Sequence, residues 1–231
     1  MDIYSRSELD QRCIRHLRTA TGTRPDLKVI DLGDDRLAVL KDYRNSAPLF
    51  RRIIGPLMTR REGGALRKLD QVDGIPRLCQ AVDRHAILIE YVESTPLREI
   101  ETDALGPEFF VELEKLICRM HAAGVAHCDL RTGGNILVGA GNKPYIVDFA
   151  SCVFRGRGLN PLIALAFREF RRADLFAVLL AKRRVAPSLL TEKDKVELAK
   201  PRPFERPAIF VGKSIRNIVR RTLARGTERD A

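Results

Sequence analysis

The sequence predicts an α+β fold, and three observations carry the prediction. Short β-prone runs separated by turns fill its first part, while the later part holds two long stretches whose apolar residues recur at three or four. Between those stretches lies a hairpin pattern, Ile136 to Val138 and Tyr145 to Val147 around the turn Gly139-Ala140-Gly141-Asn142. At 231 residues and 45% hydrophobic, the chain can bury the core of one bilobed domain or of two small ones.

The elements follow in order. Arg36-Leu37-Ala38-Val39-Leu40-Lys41 alternates into a strand ending in lysine, and the turn before it, Val29 to Asp35, offers a single glycine, Gly33, among three acids. Ala86 to Val92 is an apolar strand running into a polar exit that contains Pro96. Pro107 to Gly124 reads as a helix: Pro107 suits a first helical position, Phe110, Leu113, Ile117 and Met120 share a face, and Gly124 suits the stop. A second helix spans 161 to 184, with Phe167, Phe170, Ala173, Phe176, Ala177 and Leu180 at helical spacing, before Pro187 ends it. Lys200 to Pro207 is a proline-rich linker, and beyond it Ile215, Ile218, Val219, Thr222 and Leu223 form one face of a helix crowded by Lys213, Arg216, Arg220 and Arg221.

The chemistry concentrates in one stretch. Asp129, in His127-Cys128-Asp129, precedes the hairpin, and Asp148, in Asp148-Phe149-Ala150, follows it. Folding the hairpin returns the chain on itself, so both acids can serve one cleft. One carboxylate can then accept a proton from an attacking hydroxyl while the other, with Asn135, holds Mg²⁺ against nucleotide phosphates.

The pattern His-x-Asp, then Asn135-Ile136-Leu137, then Asp148-Phe149 resembles the catalytic loop and metal-binding segment of the protein kinase superfamily, with Ala150 where that family usually has glycine. The resemblance covers roughly residues 27 to 180 and is specific at 127 to 149. It implies a bilobed protein-kinase-like fold with a reduced, mostly helical C-terminal lobe. Residues 1–92 would form the N-terminal lobe, 93–199 the C-terminal lobe with the catalytic hairpin, and 200–231 the linker and basic helix. It also implies ATP and Mg²⁺ as cofactors and assigns roles. Asp129 would position and deprotonate the acceptor, and Arg131 would offset charge on the transferred group. Asn135 and Asp148 would bind the metal. Lys41 would orient phosphates with Glu62 behind it, and backbone groups from Glu90 to Val92 would meet adenine. Asp174 would anchor the catalytic loop.

The chain departs from the family pattern in three further places. Five residues, Leu130 to Gly134, separate Asp129 from Asn135 where the family has four, and the pair Gly133-Gly134 can absorb the extra one. The glycine-rich phosphate loop is missing, and no Ala-Pro-Glu signature follows Asp148. A reduced larger lobe of this kind is similar to RIO-type kinases and to bacterial lipopolysaccharide-core (Kdo and heptose) kinases, and more loosely to aminoglycoside phosphotransferases. The expected activity is transfer of a γ-phosphoryl group to a hydroxyl of a lipopolysaccharide-core sugar or similar anionic glycolipid. The alternatives are a RIO-like serine/threonine kinase and a pseudokinase acting as a scaffold.

Charge bears on partners. Residues 1 to 150 sum to zero, so the whole formal +11 lies in residues 151 to 231. The basic terminal helix can pack on its own domain, lie on an anionic membrane surface or meet RNA phosphates. With 6% aromatics and no tryptophan, base-stacking platforms are poorly supplied, which disfavours nucleic acid. Cysteines 13, 79, 118, 128 and 152 are odd in number and lack a Cys-x-x-Cys pair, so disulfides and zinc are not expected. The first residues do not read as a signal peptide, and the longest apolar run, Pro161 to Phe167, is too short to span a bilayer. The expected location is cytoplasmic, peripheral on the inner membrane face at most.

Overall fold

The computed structural model describes residues 3–156 and 161–200, so the linker and basic helix read at 200–231 lie, but for Lys200, outside the described residues. The chain forms a mixed helix and sheet structure, as expected, in two compact units. One comprises residues 3–63 and 78–91, and the other 64–77, 92–156 and 161–200. Residues 64–77 cluster with the second unit although they lie within 1–92.

The first unit is built on an antiparallel sheet. Helix α1 (Arg6–Gln11) precedes β1 (Cys13–Arg18), β2 (Asp26–Gly33) and β3 (Arg36–Asp42); helix α2 (Gly55–Lys68) begins in this unit, and β4 (Leu78–Ala81) and β5 (Ala86–Glu90) complete it. The strand order is β1-β2-β3-β5-β4. Alternation sorts the side chains. Ile30, Ala38, Leu40, Ala86 and Leu88 bury one face with Leu9 of α1, while Val29, Lys41 and Ile87 are buried at the intervening positions, which point to the opposite face.

Helix α1 is held by polar contacts that the sequence alone does not reveal. Ser5 and Glu8 close a capping box, and Arg6 bridges Asp42 (2.6 Å) and Asp83 (2.5 Å). Asp42 is buried, so Arg6→Ala is expected to lower stability by about 1–2 kcal/mol in chemical denaturation. Burial acts to raise the Asp83 pKa, but hydrogen bonds from Arg6 and from the His85 backbone outweigh it and bring the carboxyl from 3.8 to about 2. Its folded pKa is depressed, so this contribution is fully present above pH 3.8 and disappears as pH falls through about 2. Acid titration should therefore show a loss of stability in that window that Asp83→Asn no longer shows.

The second unit is mostly helical. Its first strand β6 (Ser94–Pro96) pairs with β8 (Ile136–Gly139), which pairs with β9 (Pro144–Ile146) in the expected hairpin, closed by a short 3₁₀ turn in which Gly141 and Asn142 take positive φ. Helix α3 (Pro107–Ala122) buries Phe110, Leu113, Ile117 and Met120 as its spacing predicts. Strand β7 (Val125–Ala126) pairs with β10 (Val153–Phe154), bracketing the motif. Helix α4 (Pro161–Val185) packs on α3 and β7 but buries its residues only from Phe167 onward. Leu162, 73% exposed, shows that its first turn is not the core helix the sequence suggests. A short α5 (Glu192–Ala199) with a Thr191–Asp194 capping box follows.

Candidate phosphoryl-transfer site

In the first unit, Lys41 is the penultimate residue of β3 and lies directly opposite Leu27 and Ile87 in the ladder. Its neighbours across the strands are apolar, and the ammonium is met from α2 by Glu62, with Lys41 Nζ 2.7 Å from Glu62 Oε2. Both side chains are almost fully buried, at 6% and 1% exposure. Two opposite charges out of water need each other's geometry, so the pair fixes where the lysine points. Glu62→Gln, which keeps a polar group but removes the charge, is expected to cost about 1–3 kcal/mol in denaturation.

The β2–β3 turn stands where the glycine-rich loop was expected. Gly33, Asp34 and Asp35 all take positive φ, and the Gly33 N–H donates to Asp31 Oδ1 at 2.8 Å. That N–H already serves the chain's own carboxylate. At the far end of this unit, Glu90 is exposed at the end of β5, and the Tyr91 N–H donates to the Leu37 carbonyl (3.0 Å). Val92, which opens the second unit, accepts the Ser94 hydroxyl on its carbonyl at 2.9 Å.

In the second unit the motif folds into one frame. Asn135 touches Asp129 through its side chain, Nδ2 lying 2.9 Å from the Asp129 carbonyl and 3.3 Å from Oδ2. Its own carbonyl accepts the N–H of Val147 (3.0 Å), the residue before Asp148. His127 completes the frame. The Asp129 N–H donates to its Nδ1 (3.3 Å), so the proton of the neutral ring sits on Nε2 and donates to the Val147 carbonyl (2.8 Å). The same ring stands edge-on to Phe149 at 4.8 Å. His127, Leu130 and Phe149 are buried while Asp129 and Asp148 are exposed, so a rigid floor presents two accessible carboxylates. The extra residue of the loop is absorbed at Gly133, whose φ of +68° carries no Cβ penalty.

Backbone strain marks the two ends. Cys128 (φ 72°) and Asp148 (φ 66°) are left-handed without being glycine or asparagine. Asp174, 1% exposed in the middle of α4, holds the first of them: Oδ2 accepts the His127 N–H (2.7 Å) and Oδ1 the Cys128 N–H (2.9 Å). The anchoring expected for Asp174 is thus seen directly. His121 of α3 adds a third contact, Nε2 to Asp174 Oδ2 at 3.0 Å. The sequence reading passed over His121, although it lies four residues after Ile117 on the buried stripe of α3, where a histidine calls for a polar partner.

The donor set suits Mg²⁺. With the amide nitrogen of Asn135 engaged by Asp129, its remaining acceptor is the carbonyl oxygen Oδ1, and Asp148 supplies a carboxylate one residue beyond Asn135's backbone partner. Hard oxygen ligands from one or two side chains, completed by water and phosphate, are what Mg²⁺ takes. Arg131, half-buried, lies in the segment between Asp129 and Asn135.

Comparison with known proteins identifies the family. A sequence model described as the RIO domain matches residues 28–157. The chain is 38% identical over 112 residues to the EKC/KEOPS complex subunit BUD32 of Encephalitozoon cuniculi, a match covering 47% of this chain and 53% of that protein. It is 28% identical over 131 residues to a probable bifunctional tRNA threonylcarbamoyladenosine biosynthesis protein of Methanospirillum hungatei, covering 57% of this chain and 24% of that protein. The chain thus spans about half the length of the first relative and a quarter of the second. A crystal structure of the Rio2 kinase-ADP/Mg²⁺-phosphoaspartate complex from Chaetomium thermophilum shares the fold with TM-score 0.59 at 17% identity, over 87% of this chain and 63% of that one.

Proposed function

This chain belongs to the RIO domain family, and from that premise we propose that it is an ATP-dependent phosphotransferase acting on a hydroxyl of a protein acceptor, as a RIO-like serine/threonine kinase. The observation that carries the reading is the Asp129–Asn135–Val147 frame, which presents one carboxylate before the hairpin and another after it on a buried floor. Asp129 takes the proton of the attacking hydroxyl and Arg131 offsets charge on the transferred group. Asn135 Oδ1 and Asp148 would hold Mg²⁺, which would supply positive charge to offset the phosphate oxygens. Lys41, held by Glu62, orients the phosphates, and the backbone at Glu90 and Val92 meets adenine. A lipopolysaccharide-core acceptor and a membrane-surface role draw no support from the family match; among the described residues no helix is long and apolar enough to cross a membrane.

The test is thermal stabilisation by ADP with Mg²⁺. A shift in the native chain that disappears in Asp148→Ala and shrinks in Asn135→Ala is expected; no shift in the native chain would favour the scaffold reading, which the Asp31-occupied turn before β3 motivates. A second reading has its own support. A relative 38% identical is named as a complex subunit and another, 28% identical, as a probable tRNA threonylcarbamoyladenosine biosynthesis protein, so nucleotide turnover here can serve a tRNA-modifying assembly, and tRNA-dependent stimulation of ATP hydrolysis would distinguish it from protein phosphorylation.

A further inference from the structure

We infer that the arginine-lined cavity beside the Asp129 loop holds a phosphate monoester carried by the acceptor, so that the hydroxyl to be phosphorylated belongs to a molecule already bearing phosphate. The inference takes Asp129 as the acceptor's base from the reading above. The last turn of α4 brings Arg183 and Arg184, both exposed, against Arg131 and Thr132 around a cavity of about 440 Å³ floored by Leu180. Arg184 donates through Nη1 to the Thr132 carbonyl, which fixes its guanidinium on the loop. The Arg98 backbone N–H donates to the Gly133 carbonyl at 3.3 Å and helps hold the loop, while its guanidinium pairs with Glu99.

Arg183 and Arg184 differ from other cations on α4. Arg168, Arg172 and Lys182 each have a carboxylate within 3.4 Å, whereas neither Arg183 nor Arg184 pairs with an acid among the described residues. A helix C-terminus accounts for cations in its last turn, worth about 0.3–1 kcal/mol each at the surface. It does not account for their convergence with Arg131 on one concave site.

Charge and shape select the occupant. Arg183 and Arg184 together exceed the charge of a single carboxylate, while a phosphate monoester carries about −1.5 to −2 at neutral pH and offers three acceptor oxygens. Planar arginine forks match those oxygens in pairs. The volume lies within the roughly 300–1,000 Å³ of small-ligand sites. A polynucleotide would need an extended basic track with aromatic platforms, and this cavity has no aromatic lining.

The experiment titrates the full chain, with and without saturating ADP and Mg²⁺, with inorganic phosphate, O-phosphoserine and glucose 6-phosphate, read by ³¹P line broadening. Saturable binding is expected, weakened at least about tenfold in Arg183→Ala and in Arg184→Gln. It should be unchanged in Arg171→Ala, an exposed arginine of α4 outside the cavity. The relative affinities of the two esters distinguish a phosphorylated protein from a phosphorylated sugar as the source. Binding that is absent, or equally strong in Arg183→Ala and Arg184→Gln, overturns the inference, as does tighter displacement of phosphate by hexaglutamate or by a short RNA. Failure of ADP with Mg²⁺ to stabilise the chain would instead count against the phosphotransferase reading, because the phosphate titration without nucleotide still reports on the cavity.

Discussion

Asp174→Ala is expected to destabilise the chain by about 3–5 kcal/mol in chemical denaturation, the largest stability effect of any single substitution in the second unit. One buried carboxylate accepts from three groups at once: the His127 N–H, the Cys128 N–H and His121 Nε2. Truncation leaves two buried or half-buried backbone donors and one buried imidazole without their acceptor, and each such loss costs roughly 1–3 kcal/mol. Asn, which retains an acceptor oxygen but not the charge, should fall between. Activity carries the sharper readout. The anchor holds Cys128 at φ 72°, and once it is gone the backbone relaxes and Asp129 shifts. A displacement on the order of 1 Å in a reacting group costs about a hundredfold in rate. Turnover should therefore fall by that order while the KM for ATP barely moves, since Lys41 and Glu62 are untouched. A purely structural role would lower the amount of folded enzyme and leave the kcat of the folded fraction intact.

Asp129→Ala should reduce phosphoryl transfer by about 10²–10⁴-fold, the range that a positioned general base contributes. Asp129 is exposed, so its loss is expected to cost little stability, and stabilisation by ADP with Mg²⁺ should persist because Asn135 and Asp148 remain. The Asn135 contact to the Asp129 carbonyl survives the substitution, since it involves backbone oxygen. Single-turnover phosphorylation measured against the native chain checks the prediction. A rate within tenfold of the native value would move the base elsewhere.

Periodicity and residue type made much of this legible in advance. The hairpin at 136–146, the helix from Pro107 and the strand that carries Lys41 depend on spacing and turn chemistry within a few residues, and such local preferences are written in the chain itself. The motif residues Asp129, Asn135 and Asp148 were readable because a loop of set length and a short hairpin link them. Long-range polar contacts were not readable. His121 meets Asp174 across 53 positions, and Arg6 reaches Asp83 across 77, with no periodic signal tying either pair. The helix expected over 161 to 184 is present and its burial begins at Phe167, the first apolar position named for it; apolar spacing says which face is available for burial, but it does not say how far burial extends, and Leu162 is 73% exposed.

Local sequence thus set the elements and the identity of the acids, because a strand, a turn or a helix face is decided by neighbours in the chain. The strained φ at Cys128, the tautomer of His127 and the gathering of Arg131, Arg183 and Arg184 around one cavity came from packing. Each needs a partner from a distant segment, and only the folded arrangement supplies the desolvated geometry in which those hydrogen bonds and charges act.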